Sequence, residues 1–282
     1  MSATSYGLRF AVNLSILFTE VPLLERPAAA RAAGFDAVEA WWPFPVAEPS
    51  AGEVDAFVGA LEAADVALIG LNFFAGDMPG GERGVVSWPG RVDDFRASVP
   101  VLVEIARRTG CRAFNALYGQ RLPGVDPVTQ DDTAAANLAF AADAVGAFGG
   151  TVLVEPLSQG ENGAYPLLTS GDVLTVIDRV RDDHGAVNHS RGAAANLQLL
   201  LDTYHLTRNG DDPVAVLAAH ADRVGHVQIA DAPGRGQPGT GAIDFPAVFA
   251  ALCDHGYAGH VACEYKPVGP SAGSFEWLRE MG

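Results

Sequence analysis

Four short apolar runs in the second half of the chain stop at an oxygen-bearing side chain: Thr151–Val154 at Glu155, Leu197–Leu201 at Asp202, Val224–Val227 at Gln228, and His260–Cys263 at Glu264. The runs are dense in Val and Leu, as a strand buried on both faces is. Pro156, directly after Glu155, has no N–H with which to extend a central ladder, so the glutamate stands at a strand's C-terminal end. One such ending is accounted for by a turn residue, whereas four in succession call for a common cause. Parallel strands that close into a barrel bring their C-terminal ends to one axis, while an open sheet fans them out.

The rest of the chain fits that arrangement. Leu8–Leu14, Ala37–Ala40, Val66–Phe74 and Ala113–Leu117 read as strands one to four, and between them lie helical stretches at Pro22–Ala33, Ala51–Ala64 and Arg91–Thr109. Gly34 and Gly110 stand where helix C-caps are expected. Thr129–Phe148 is an Ala-rich helix before strand five, and Ser170 is the expected cap of a helix over Gly171–Asp183. His184–Asn196 reads as a surface excursion, Pro213–Ala221 and Pro246–His255 as helices, and Ser274–Met281 as a closing helix. Eight strand-then-helix units without a break in composition predict one domain over residues 1–282, an α/β chain folded as a single (β/α)8 TIM barrel, with a doubly wound sheet as the alternative.

Adjacent strands run about 4.8 Å apart, so Glu155, Asp202, Gln228 and Glu264 are expected along one arc of the barrel mouth. Three carboxylates so close repel unless protons or a cation lie between them. An oxygen-only ligand set favours Mg²⁺ or Mn²⁺ over Zn²⁺ or copper. His205, in a loop at Asp-Thr-Tyr-His just past strand six, is either a surface histidine or a hydrogen-bond partner of a bound substrate. Arg83 and Arg235 lie in glycine-rich loops after strands three and seven, and Lys266 follows Glu264, three cations suited to a substrate carboxylate. Asn13 and Asn72, near the ends of strands one and three, are candidates for orienting a ligand or satisfying loop backbone. The loop Ala75–Gly90 has the length of a lid or substrate loop. Trp41–Trp42–Pro43–Phe44 would wall the pocket or form a contact between copies in a homo-oligomer.

Charge narrows the partners. A net charge of −16 is wrong for a binder of nucleic acid or of an anionic membrane, so the expected ligand is a small molecule. Cys111, Cys253 and Cys263 are too few and too scattered for a disulfide framework and read as small buried hydrophobes. With no secretory leader and no apolar run of roughly 20 residues, the expected compartment is the cytoplasm.

These residues carry a resemblance. Arg9–Glu20 (RFAVNLSILFTE), Ala33–Glu39 (AGFDAVE), Gly76–Gly84 (GDMPGGERG), Val152–Pro156 (VLVEP), Asn196–His205 (NLQLLLDTYH), Gly225–Gly241 (GHVQIADAPGRGQPGTG) and Gly256–Pro267 (GYAGHVACEYKP) are together similar to the hydroxypyruvate isomerase family, among the sugar isomerase/epimerase and AP-endonuclease-like TIM barrels. The resemblance implies a metal on Glu155, Asp202, Gln228 and Glu264, with Glu155 and Glu264 also the acid/base pair. It implies conversion of hydroxypyruvate to tartronate semialdehyde through an enediolate. A sister group isomerises 2-oxo-tetronate, and related keto-sugar epimerases usually carry a histidine where Gln228 stands. Two other classes, a metal-dependent endonuclease and a silent barrel that binds a sugar acid, are disfavoured by the net charge and by the intact glutamate pair.

Overall fold

The computed structural model describes residues 6–188 and 194–280. Eight parallel strands close into a barrel in sequence order. They are β1 (Arg9–Asn13), β2 (Ala37–Ala40), β3 (Ala67–Asn72), β4 (Ala113–Asn115), β5 (Thr151–Val154), β6 (Leu197–Asp202), β7 (Val224–Ile229) and β8 (His260–Cys263). β8 pairs with β1, with Arg9 opposite His260 and Val12 opposite Cys263, which removes both sheet edges. The helices are α1 (Arg26–Ala32), α2 (Ala51–Ala64), α3 (Val92–Thr109), α4 (Pro127–Gly146), α5 (Ser170–Asn188), α6 (Thr203–Asn209), α7 (Pro213–His220), α8 (Phe245–Asp254) and α9 (Trp277–Glu280). The expected (β/α)8 barrel is therefore present, and its strand ends share one mouth.

Side-chain alternation sorts the strand residues into two shells. Phe10 and Val12 of β1, Val38 of β2, Val152 and Val154 of β5, Val227 and Ile229 of β7, and Val261 and Cys263 of β8 join the core between strands and helices. The intervening residues face the barrel axis, where Ala11, Ala37 and Ala262 form a separate small cluster. Following that parity one step up each strand puts Asn13, Glu39, Glu155, Asp202, Gln228 and Glu264 inward, and all six are buried. The small alanines beneath them leave room for long polar side chains at the mouth.

Local signals fix the helices, with some differences from expectation. Ser50 and Glu53 form a capping box at the start of α2, whose Val54, Phe57, Val58 and Leu61 are buried. Gly110, at φ 80°, closes α3 as expected. α5 is capped by Thr169, not Ser170: Thr169 Oγ1 accepts the Asp172 N–H at 3.1 Å while Asp172 returns the favour to the Thr169 N–H at 2.9 Å. Ser170 is drawn away to Asp211, to which its hydroxyl donates at 2.8 Å. The excursion expected over His184–Asn196 begins later, because α5 continues to Asn188; residues 189–193 lie outside the described residues. The closing helix is shorter than expected, Trp277–Glu280, after a 3-10 turn at Ser271–Gly273, and Met281 lies outside the described residues. Cys111 and Cys263 are buried as expected, whereas Cys253 is exposed on α8. Among the described residues no helix is long and apolar enough to cross a membrane.

Candidate active site

Every strand presents a polar side chain within one residue of its C-terminal end: Asn13, Glu39, Asn72, Asn115, Glu155, Asp202, Gln228 and Glu264, all buried. Above this ring opens a cavity of about 840 Å³ lined by Glu155, Glu264, His205, Asn72, Arg83, Arg235 and Lys266, with Trp41, Trp42 and Phe44 on one wall. Asn72, Arg83, His205, Arg235 and Lys266, named from the sequence as substrate-facing, thus line one cavity with the aromatic run, whereas Asn13, Asp202 and Gln228 are not among its lining residues.

Glu155 Oε2 accepts from Asn115 Nδ2 at 2.7 Å, and its backbone carbonyl accepts from the Tyr165 hydroxyl at 3.2 Å. Asp202 does two jobs at once. Its Oδ1 accepts from the Tyr204 and His205 N–H groups at 2.7 and 3.1 Å, which caps α6, while Oδ2 is buried without a hydrogen-bond partner. His205, expected in a loop, therefore sits in the first turn of α6, because the Asp202 side chain starts a helix directly at the strand end. Its Nδ1 accepts the Ser158 N–H at 3.0 Å, so the ring's hydrogen is on Nε2, 3.8 Å from Glu155 Oε1. Burial, and then the charge of Arg235, hold His205 well below the usual imidazole range, so the ring is a neutral donor.

At the other end of this arc, after β8, Glu264 is held at both oxygens. Oε2 accepts from Asn13 Nδ2 at 2.9 Å and from Gln228 Nε2, and Oε1 accepts from Arg235 Nη2 at 2.7 Å. Arg235 stacks over the Tyr204 ring, 5.4 Å from its centroid, and its own backbone is left-handed at φ 56°. Gln228 spends both amide hydrogens on carboxylates, Glu264 and Glu39, which leaves Oε1 buried without a partner. Burial drives the Glu155, Asp202 and Glu264 carboxyls upward; Asp202 adds repulsion at Glu155, and Arg235 opposes the rise at all three.

The donor set fits a hard divalent cation. Buried oxygens with no hydrogen bond, Asp202 Oδ2 and Gln228 Oε1, stand among carboxylates that resist ionising together. Glu155, Asp202 and His205 each offer an atom within 4.8 Å of the others, a grouping that could hold a metal. His205 is the weakest member, because the Ser158 bond places a hydrogen on the nitrogen that would have to ligate.

The cations are less free than the sequence implied. Arg83 Nε donates to Asn162 Oδ1 at 3.1 Å and Nη1 donates to the Met78 and Glu82 carbonyls at 2.9 and 2.7 Å. Among the described residues no acceptor meets Nη2, so that nitrogen is the part left for a ligand. The loop around Arg83 is fastened rather than loose: its N–H donates to Gln120 Oε1 at 3.0 Å, and Gly84 lies so close to the Leu117 carbonyl that a Cβ there would clash. Lys266 is exposed at the rim. Glu39, Asn115 and His226 were missed by the sequence reading; Glu39 and Asn115 carry the same strand-end signal, masked in Ala37–Ala40 because an alanine follows the glutamate.

Residues 27–281 match the model of the xylose isomerase-like TIM barrel family. The chain belongs to that family. A Streptomyces coelicolor protein provisionally named a hydroxypyruvate isomerase is 50% identical over 96% of this chain and 95% of its own. The hydroxypyruvate isomerase of Escherichia coli is 31% identical, covering 96% of this chain and 98% of its own. A 2-oxo-tetronate isomerase of Cupriavidus necator is 34% identical over 96% and 97%. Among solved structures, the crystal structure of an AP endonuclease family 2 protein from Brucella melitensis superposes with a TM-score of 0.84 at 32% identity, covering 97% of this chain and 98% of that one. These relatives are similar along nearly their whole length, so the family resemblance is not confined to the barrel core.

Proposed function

We propose that this chain is a metal-dependent isomerase of short 2-oxo hydroxy acids that interconverts hydroxypyruvate and tartronate semialdehyde, with Glu155 and Glu264 exchanging the carbon-bound proton. The observation that carries this reading is the pair of buried glutamates at the two ends of one arc of strands, after β5 and β8, flanking buried oxygens on β6 and β7 that lack partners. The names of the Escherichia coli and Streptomyces coelicolor relatives support it.

Glu155, Asp202, Gln228 and Glu264 are the residues that would hold Mg²⁺ or Mn²⁺. A cation there supplies Lewis acidity toward developing oxyanion charge. In the forward direction one glutamate removes a proton from the hydroxymethyl carbon, and the enediolate receives a proton at the former carbonyl carbon from the other. The hydroxyl proton moves from one oxygen to its neighbour. His205 Nε2–H, 3.8 Å from Glu155 Oε1, donates to a substrate oxygen bound beside that carboxylate. Arg83 Nη2, Arg235 and Lys266 offer positive charge for the carboxylate in a chain that is otherwise strongly acidic.

One observation favours a longer substrate: the cavity of about 840 Å³ is far larger than a three-carbon acid. That supports 2-oxo-tetronate as a second reading, in line with the Cupriavidus necator relative. The deciding assay strips the protein with chelator, restores Mg²⁺ or Mn²⁺, and follows both acids by proton NMR in D₂O. Turnover of either, with deuterium entering the carbon beside the carbonyl, is the expected result; hydroxypyruvate turnover alone would select the first reading. No exchange on either acid, or nicking of abasic-site DNA, would overturn both.

A further inference from the structure

Beside the proposed ligands, the ring of strand ends holds polar side chains that the proposed chemistry does not use. Glu39, on β2, is 3% exposed, and its carboxylate is met by three side chains. Oε1 accepts from Gln228 Nε2 at 2.6 Å and from Asn13 Nδ2 at 2.9 Å, and Oε2 meets His226 Nε2 at 2.6 Å. Asn13 Nδ2 also reaches Glu264 Oε2 at 2.9 Å, so Glu39 is tied to two members of the proposed site through one amide each. Gly70, on the neighbouring strand, admits this side chain: a Cβ there would stand 3.1 Å from the Glu39 carboxylate.

The consequence concerns which end of the Gln228 amide faces the cation. An amide is nearly symmetric in shape, and only its partners decide where the oxygen goes. Here Nε2 lies against two carboxylates, Glu39 and Glu264, and no carbonyl oxygen could take that place without opposing a carboxylate oxygen at hydrogen-bond distance. The oxygen is therefore the end left over, buried and without a partner. Glu39 Oε1 accepts from the Gln228 and the Asn13 amide nitrogens together, so one oxygen fixes both amides.

We propose that Glu39 is the positioning residue of the site, holding the Gln228 amide nitrogen down so that its oxygen is presented to a divalent cation, and steadying Glu264 through Asn13. This rests on the reading of Gln228 as a metal ligand. Partners of metal ligands typically change metal affinity or activity by about 10–100-fold when removed.

Glu39→Gln tests it without a change of size. A glutamine at 39 offers an N–H₂ that Gln228 can accept from, so the Gln228 amide gains a second arrangement with its oxygen turned away from the site. Mn²⁺ affinity of the folded protein, read from the EPR signal of free Mn²⁺, should weaken about tenfold or more. The second arm distinguishes positioning from mere stability. In Gln228→Glu, the new carboxylate faces Glu39 and is repelled by it; adding Glu39→Gln supplies a donor to that carboxylate. The same Glu39→Gln change should therefore weaken Mn²⁺ binding when residue 228 is Gln and strengthen it when residue 228 is Glu, with circular dichroism confirming the fold of all four proteins. A change below about twofold in the first background, or weakening in both, would overturn the positioning role while leaving the metal site in place. If the unsubstituted protein binds neither Mn²⁺ nor Mg²⁺, the metal reading fails and this inference with it.

Discussion

Glu155 and Glu264 differ in how their oxygens are held, and the difference predicts two distinguishable defects. Glu155 is fixed at Oε2 by Asn115, with Oε1 toward the His205 side of the cavity. A glutamine there can keep its oxygen on Asn115. Glu264 accepts from Asn13 and Gln228 at one oxygen and from Arg235 at the other, so the N–H₂ of a glutamine must oppose donors whichever way it turns. Both Glu155→Gln and Glu264→Gln should lower kcat by about 10²–10⁴-fold, the range lost with a general acid or base. Only Glu264→Gln should also lose stability, by about 1–3 kcal/mol for buried donors left unpaired, or about 2–4 °C in Tm per kcal/mol for a domain near this size. Steady-state kinetics with thermal melts of both variants check this. Retention of more than a tenth of the activity at normal metal content would remove that glutamate from proton transfer.

At the scale of elements, the loop between β3 and the 3-10 turn at Pro89–Arg91 is joined to the loop after β5 through the Arg83 side chain, whose Nε donates to Asn162 Oδ1. Arg83→Ala removes a positive charge from the cavity and also that tie. The expected result is a KM for the keto acid raised about tenfold or more, as for a lost charged hydrogen bond, with faster amide exchange in residues 160–163 as well as 78–84. Asn162→Ala should loosen the same segments yet raise KM less, because the guanidinium remains. An unchanged KM in Arg83→Ala would leave Arg235 or Lys266 as the carboxylate's partner. This tie was not legible in the sequence, which showed a long glycine-rich loop and so read as a lid; long-range partners such as Gln120 and Asn162 carry no local signal. The strand endings were legible because burial on both faces and an abrupt polar stop are written in consecutive residues. His205 was placed in a loop because Asp202 is at once a site carboxylate and an N-cap, and the sequence reading used only the first role. Glu39 was hidden by the alanine after it, although the two-residue parity from Ala37 points it to the axis.

The whole molecule sets several carboxylates at the end of a closed barrel, and the cost of that arrangement depends on what shares the site. In the metal-free protein burial raises Glu155 from the ordinary carboxylate range to about 8, and pushes Glu264 well upward as well. A folded state with raised carboxyl pKa values retains protons that the unfolded chain has released, so stability falls as pH rises from the unfolded value toward the folded one. His205 acts in the other direction: buried neutral, it penalises folding only below its unfolded value of 6.5, where the unfolded ring takes up a proton. Between pH 6.5 and 8 the carboxyls therefore set the slope, and Tm in EDTA should decline across that interval. A divalent cation at the site takes over from the protons, and because its ligands must be ionised, it binds more tightly as pH rises. The difference in Tm between Mn²⁺-loaded and EDTA-treated protein should consequently widen from pH 6.5 to pH 8, and Asp202→Asn, which removes one ligand charge, should shrink it at every pH. A difference that stays flat or narrows over this range would mean that the buried carboxyls do not meet at a cation, and the ring of strand ends would then need another explanation for its charge.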